Sequence, residues 1–146
     1  MALQVVDRLF AGYEVGERYE GLARTIDQSD INAFAGLTLD LHPAHLDAEF
    51  ADQHYGGRLA HGMLTFSLVT GLTVEYNLRA ISYGYDRVRF PRPVRAGDTL
   101  HAVSEIIELG DAKAASHGLV VKQYTGTVRG DVVFVCRHTL AVERAR

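Results

Sequence analysis

The stretch LAHGMLTFSLVTGLTVEY, residues 59–76, is the most apolar part of the chain. It includes polar side chains, among them His61 and Glu75, and it is shorter than the roughly 20 apolar residues that a membrane-spanning helix needs. A helix that is apolar on nearly all sides is typical of the centre of a soluble fold. The stretch therefore predicts a long buried helix over about residues 61–77 and no transmembrane segment.

The part of the chain after this helix has the pattern of β-strands. Apolar and polar residues alternate, and the pairs Gly97-Asp98, Gly110-Asp111 and Gly130-Asp131 separate the segments. Glycine and aspartate favour turns, because glycine adopts positive φ and the aspartate side chain bonds nearby backbone. Consecutive strands joined by short turns form an antiparallel sheet. The predicted strands are 81–94, 99–109, 114–128 and 131–143.

The part before the helix predicts a first strand over 18–25 and two short helices. Asp27 to Asp30 can cap a helix over 28–36, and Asp47 can cap another over 48–53. Residues 38–45 contain Pro43 and are predicted to form a loop. Taken together, the pattern predicts an α+β fold in which a curved antiparallel sheet wraps a long central helix, with short helices in front.

Length and composition indicate one ordinary soluble domain, residues 1–146. The chain has 146 residues, of which 47% are hydrophobic and 23% charged, and its formal net charge is −3. This balance gives no indication of a nucleic-acid partner. One group of arginines is too small for a duplex-binding face, although it could attract a phosphate-bearing ligand or be a solvated strand edge. That group is Arg87, Arg89, Arg92 and Arg95.

The single cysteine and the N-terminal residues give information on the cellular compartment of the protein. Cys136 is the only cysteine, so a disulfide within the chain is excluded, and its apolar surroundings predict an inert buried thiol. The first ten residues contain the acidic Asp7 and no sustained apolar run. We therefore expect no secretory signal and a cytoplasmic location.

Two segments concentrate groups that handle protons. The segment FAGLTLDLHPAHLD, residues 34–47, places Asp40, His42 and His45 around Pro43. The segment GRLAHGML, residues 57–64, brings His61 to the start of the long helix. Aspartate and histidine serve as general acids and bases. A helix start offers unpaired N–H groups that can stabilise an oxygen gaining negative charge.

These segments resemble the hydratase motif of the MaoC-like, (R)-specific enoyl-CoA hydratases, which have the hot-dog fold. The family pattern runs Gly-Asp-x-Asn-Pro-x-His-x-Asp and later Arg-Ile-x-His-Gly-Met-Leu. The segment FPRPVRAGDTL, residues 90–100, is also similar to a later family signature, and the resemblance extends over roughly residues 20–140. The residues that match the two motifs are Asp40, Pro43, His45, Asp47, Arg58, His61, Gly62, Met63 and Leu64.

The resemblance implies a single hot-dog domain whose short-helix overhang carries the catalytic loop. It also implies reversible hydration of a trans-2-enoyl-CoA, or dehydration of a 3-hydroxyacyl-CoA. Asp40 and His45 would hold the reacting water, with His45 as the base and Asp40 as the acid. The Gly62 N–H would bind the thioester carbonyl. No metal or cofactor is implied, because the CoA thioester is itself the substrate.

Further residues are assigned to loop positioning or substrate binding, namely His42, Pro43, His61, Met63 and Thr70. Each also has a plainer structural interpretation: His61 can pack at the helix start, and a Thr70 hydroxyl can bond its own helix. The sequence departs from the family pattern at Leu39, where the family has Gly, and at His42, where it has Asn. Asp40, His42 and His45 are not expected to bind a metal, because alternating loop residues rarely converge without a further ligand.

Other functions are compatible with the sequence. A branched or dicarboxylic acyl-CoA, of mesaconyl or itaconyl type, would be favoured if Arg58 or Arg87 reached the acyl group. Acyl-CoA thioesterases of this fold usually use a carboxylate from the central helix, where only Glu75 is available. A non-catalytic acyl-CoA-binding subunit is the third alternative. An exposed sheet edge further predicts a homodimer or a higher homo-oligomer.

Overall fold

The apolar stretch forms the central helix of the fold, although this helix is shorter than the sequence predicted. The structure is a computed structural model that describes residues 5–145, so residues 1–4 and 146 of the predicted domain lie outside the described residues. The helices are α1 (Gln28–Thr38), α2 (Pro43–Leu46), α3 (Ala48–Tyr55) and α4 (Gly62–Leu72), with a 3-10 turn at Phe10–Gly12. The strands are β1 (Val5–Val6), β2 (Arg18–Glu20), β3 (Arg24–Thr25), β4 (Tyr76–Asn77), β5 (Ala80–Arg89), β6 (Thr99–Asp111), β7 (His117–Val128) and β8 (Asp131–Glu143).

Helix α4 ends at Leu72 instead of continuing to residue 77. The Thr73 hydroxyl donates to the Val69 carbonyl at 2.8 Å, and Tyr76–Asn77 pairs in parallel with Val5–Val6. The apolar pattern could not separate this last segment from the helix, because its strand partner lies far away in the sequence. No helix within residues 5–145 is long and apolar enough to cross a membrane.

The main sheet has six strands and is antiparallel, as predicted. Its order is β2-β6-β7-β8-β5, and β3 pairs separately with β6. The predicted first strand is divided into β2 and β3, and β5 ends at Arg89 instead of residue 94. The early end of β5 has a plain cause, since Pro91 and Pro93 cannot donate ladder hydrogen bonds. The last strand, Asp131–Glu143, has the predicted bounds.

The core lies between α4 and the inner face of this sheet. Val69 and Phe134 are fully buried within it. A Cβ added at Gly126 on β7 would lie 2.7 Å from Val69 Cγ2 and 3.4 Å from Phe134 Cβ. Helix and sheet therefore approach so closely that only glycine fits at this position. Cys136 is also fully buried, and burial raises the pKa of its thiol to about 12, in agreement with an inert thiol.

Replacing Gly126 by alanine should lower the free energy of unfolding by about 1–3 kcal/mol, because Val69 has few alternative rotamers to make room. Urea denaturation of the purified variant measures this. Gly110→Ala is the matched control, since a Cβ at that strand position meets nothing within 4 Å. Equal stabilities of the two variants would contradict the close helix–sheet approach.

A buried polar network links β5, β7 and β8. His138 Nε2 lies 2.8 Å from the Ser82 hydroxyl, and His138 Nδ1 lies 2.7 Å from the Tyr124 hydroxyl. The Tyr85 ring stacks on the imidazole at a centroid distance of 4.0 Å. Burial, assisted by the nearby charge of Lys122, lowers the pKa of His138 to about 4. The ring is therefore neutral in the folded protein at neutral pH.

The free energy of unfolding should decrease as the pH falls from about 6.5 towards 4. The unfolded chain, with an ordinary histidine pKa, binds the proton first, so the contribution of His138 is complete above pH 6.5 and is lost towards pH 4. Between pH 7.5 and 4.5 the expected loss is about 2–3 kcal/mol. Urea denaturation at both pH values should show a smaller difference for His138→Gln. An unchanged pH dependence in this variant would contradict the assignment.

Candidate active site

The loop that carries Asp40 begins where α1 ends. Leu39 adopts a left-handed backbone conformation, with φ 63°, and its N–H donates to the Ala35 carbonyl at 2.8 Å. Glycine is favoured at such a helix end, which gives the family's usual glycine a geometric reason. The Asp40 N–H then donates to Thr38 Oγ1 at 3.3 Å. The departure at Leu39 therefore keeps the turn, at the expense of a strained backbone angle.

His42 holds the second half of the loop. Its Nδ1 accepts a hydrogen bond from the Ala44 N–H at 3.1 Å, which caps the short helix α2. Pro43 is the first residue of this helix, where no N–H is needed. The predicted loop over 38–45 thus contains the start of a helix. His42 thus holds the loop through this cap, and neither His42 nor Pro43 is among the residues that line the nearby pocket.

His45 is held with one ring nitrogen directed at Asp40. Its Nδ1 lies 2.7 Å from the Leu59 carbonyl, an atom that can only accept, so Nδ1 carries the proton. Nε2 is then the basic atom of the neutral ring, and it lies 3.9 Å from Asp40 Oδ2. This separation is too long for a direct hydrogen bond. The Asp40 carboxyl group is 56% exposed and His45 is only 14% exposed, so solvent reaches the pair from the aspartate side.

His61 joins this loop to the start of α4. Its Nε2 donates to the Asp40 backbone carbonyl at 3.0 Å, and its ring stacks on the His45 ring at 3.7 Å between centroids. The residue is buried, and Nδ1 has no hydrogen-bond partner within residues 5–145. Because one ring contacts both the Asp40 backbone and the His45 side chain, His61 fixes the position of each relative to the helix.

The start of α4 supplies an unpaired donor beside these residues. Gly62 is the first residue of the helix, and among the described residues no side chain caps this end. A Cβ at Gly62 would lie 3.1 Å from the Phe90 ring, so a larger residue would close the space. Phe90 and the helix start bound a pocket of about 260 Å³. Its lining residues are Phe34, Thr38, Asp40, His45, His61, Gly62, Met63 and Phe90.

The structure thus brings together five of the eight residues selected from the sequence, namely Asp40, His45, His61, Gly62 and Met63. Thr70 is not among the lining residues, and its hydroxyl donates to the Ser67 carbonyl within the helix at 3.0 Å. Phe34, Thr38 and Phe90 also line the pocket, and none of the three was predicted as a site residue. Phe90 is the first residue of the FPRP segment, and this motif could have identified it as a candidate site residue.

Three side chains of the pocket could together hold a metal ion. Potential ligand atoms of Asp40, His45 and His61 lie within 4.8 Å of one another. Three protein ligands with one open position is the pattern of catalytic zinc sites. The set differs from the one considered from the sequence, because His42 turns its Nδ1 to the backbone and His61 takes its place. The expectation that no metal is bound stays a prediction.

Glu75, the carboxylate considered for thioester hydrolysis, does not lie in the central helix. It follows α4, where it accepts hydrogen bonds from the Tyr13 hydroxyl and, at 3.1 Å, from Arg8 Nη1. It does not line the pocket at His45. Helix α4, with the sequence GMLTFSLVTGL, contains no carboxylate. The prediction that Glu75 belongs to this helix was therefore wrong, and the thioesterase hypothesis loses its candidate residue.

Known proteins resemble this chain over most of its length. An (R)-specific enoyl-CoA hydratase from Rhodospirillum rubrum is 35% identical over 123 residues, which is 83% of each chain. A 3-hydroxyacyl-thioester dehydratase Z from Mycobacterium tuberculosis is 38% identical over 93 residues, covering 60% of this chain and 62% of that one.

Solved structures give the same result for the fold. An Archaeoglobus protein described as a monoamine oxidase regulatory protein superposes with a TM-score of 0.90 at 31% identity and covers 100% of both chains. A Mycobacterium tuberculosis protein described as a double hot-dog fold superposes with a TM-score of 0.83 at 21% identity, covering 95% of this chain and 45% of that one. The predicted hot-dog fold is confirmed. The model of the MaoC-like domain family matches residues 11–128, and the chain belongs to this family of dehydratases.

Proposed function

We propose that the protein adds water reversibly to a trans-2-enoyl-CoA, or removes it from the corresponding 3-hydroxyacyl-CoA. The observation that carries the proposal is the gap of 3.9 Å between His45 Nε2 and Asp40 Oδ2, beside the uncapped helix start at Gly62. Two groups at this separation do not bond each other directly, and a water molecule that lies to one side of the pair can hydrogen-bond to both. The names of the relatives, a hydratase and a dehydratase, support the same reaction.

The reaction can be written with the groups in this pocket. The Gly62 N–H donates to the thioester carbonyl and stabilises the negative charge that develops there as water adds to the β-carbon. We assign His45 Nε2 as the base that takes the proton from that water, and Asp40 as the acid that delivers a proton to the α-carbon. Proton return from His45 to Asp40 through solvent resets the site. Dehydration follows the same steps in reverse.

The pocket favours an uncharged acyl group over a dicarboxylic one. Phe34, Met63 and Phe90 provide apolar walls, and neither Arg58 nor Arg87 is among the lining residues. The free carboxylate of a dicarboxylic acyl group would therefore enter without an arginine or lysine partner, which is unfavourable for a charge leaving water. An enoyl chain without a free carboxylate is the substrate that we propose.

Asp40→Asn and His45→Ala should each lower the hydration rate of crotonyl-CoA at least about a hundredfold, because each removes one proton-transfer group. Loss of the enoyl-thioester absorbance measures hydration. Asp52→Asn and His54→Ala on α3 are matched controls that lie outside the pocket and should keep full activity.

Other outcomes would contradict the proposal in distinct ways. Release of free thiol without loss of the double bond would indicate a thioesterase, and tight acyl-CoA binding without turnover would indicate a binding subunit. Full activity of Asp40→Asn and His45→Ala would remove both residues from the mechanism. Loss of activity on treatment with a chelator, restored by a divalent metal, would assign Asp40, His45 and His61 to a metal site.

We further propose that the protein is a homodimer formed through strand β5. This strand is at one edge of the sheet, and the side chains of Ile81 and Tyr83 are 66% and 70% exposed. Exposed apolar residues on an unpaired edge are typical of an interface. A second copy related by a two-fold axis can pair with the same edge.

The wild-type protein should sediment as a dimer at micromolar concentration, and the double variant Ile81→Lys with Tyr83→Lys should sediment as a monomer. Two lysines on each strand would bring like charges together across the axis. Val15→Lys is the control, since Val15 is also exposed (61%) but lies outside this edge. A monomeric wild-type protein, or a dimeric double variant, would contradict the proposed interface.

A further inference from the structure

A second cavity lies on the outer face of the sheet, apart from the catalytic pocket. Its volume is about 470 Å³, and none of its lining residues is acidic. Three of them are arginines, one of which comes from β8 and two from the end of β5. The lining residues are Arg87, Arg89, Gln123, Val135, Cys136 and Arg137.

The strand register explains why these guanidinium groups share one face. Arg137 lies between the buried residues Cys136 and His138 on β8, so its side chain takes the opposite, outer face. Arg89 is paired with Val135, which lines the same cavity. A bulge between Asp86 and Arg89 adds one residue to β5, and Arg87 within it also lines the cavity.

Arg87 occupies a strained backbone conformation within this bulge. Its φ is 50°, in the left-handed region, which is unfavourable for a residue with a side chain. Such strain persists where the surroundings enforce it, and it concentrates at functional sites. A glycine would meet the backbone requirement more easily, so the presence of an arginine is notable.

The described residues do not hold the arginines of this cavity in ion pairs. Neither Arg87, Arg89 nor Arg137 forms an ion pair within residues 5–145, and Asp86, the strand partner of Arg137, forms none either. Several other arginines of the described chain are paired, as Arg92 is with Asp131 at 3.0 Å and Arg129 with Asp98 at 2.9 Å. Three arginines that line one cavity and form no ion pair create a positive potential that attracts an anion from solution.

The cavity is one residue away from the catalytic pocket along β5. Arg89 lines the cavity on the outer face, and the next residue, Phe90, lines the catalytic pocket. A flexible ligand with an anionic end could therefore contact both places by passing the end of this strand. Pairing of β5 with a second copy would run in the plane of the sheet and leave its outer face uncovered.

We propose that Arg87, Arg89 and Arg137 form a phosphate-binding site. Guanidinium groups bind phosphate through paired, charge-assisted hydrogen bonds, and Gln123 can add a neutral donor. If the proposed function holds, the phosphates of the CoA moiety are one source of this chemistry, with the pantetheine arm leading to Gly62. Free phosphate or a free nucleotide is the other source.

Calorimetric titration with adenosine 3′,5′-bisphosphate, and separately with inorganic phosphate, tests the site without relying on catalysis. Arg137→Gln and Arg87→Gln should weaken binding of the bisphosphate at least tenfold, while Arg92→Gln should bind like the wild type. Arg87→Gly is informative because it should raise the melting temperature, by relieving the strained φ, and still weaken binding. No binding by the wild type, or equal binding by all variants, would overturn the proposal.

Kinetics then distinguish the two sources of phosphate. If the site holds the CoA moiety, Arg137→Gln should raise the KM for crotonyl-CoA at least tenfold and leave the KM for crotonyl-pantetheine, which lacks the nucleotide, unchanged. If Arg137→Gln weakens bisphosphate binding but leaves the KM for crotonyl-CoA at the wild-type value, the site binds a free phosphate ligand. If no hydration occurs at all, the proposed function fails, while arginine-dependent binding of the bisphosphate would still support the site.

Discussion

The hydrogen bond from His61 to the Asp40 carbonyl connects the two segments on which the site depends. Asp40 follows α1, and Gly62 begins α4, so a proton-transfer pair and a carbonyl-binding group come from parts of the chain that have no local reason to meet. The His61 ring contacts the Asp40 backbone at 3.0 Å and stacks on His45 at 3.7 Å. Because α4 is fixed in the core through Val69, this contact extends the rigidity of the core to an otherwise exposed loop.

The overall architecture was predictable because its signals are local. The Gly-Asp turns and the alternating pattern gave the antiparallel sheet, and the last strand, Asp131–Glu143, has the predicted bounds. The limits of α4 were not predictable, because Tyr76–Asn77 leaves the helical pattern only to pair with Val5–Val6. The end of β5 illustrates a signal that was present and not used, since two prolines follow it directly.

The candidate site, like the fold, combines features that the local sequence predicts with features that depend on contacts between distant segments. The motifs identified Asp40, His45, His61 and Gly62 as candidates, because their spacing matches a family pattern. Their tautomers and separations could not be predicted, since these depend on the Leu59 carbonyl and on a ring stack between distant segments. Thr70 was selected from its place on the helix, and sequence alone does not show which helix face meets the pocket. Phe34 and Phe90 reach the pocket only through tertiary packing.

The bulge in β5 has a consequence for how this protein can vary. Successive residues of a strand face opposite sides of a sheet, so inserting or deleting one residue exchanges the two faces beyond that point. Loss of one residue from the bulge would direct the Arg89 side chain inwards and the Phe90 side chain to solvent. The apolar wall of the catalytic pocket and the positive charge of the arginine-lined cavity therefore both depend on the number of residues in this segment. We therefore expect insertions and deletions in this segment to be disfavoured, even though most of its side chains are exposed.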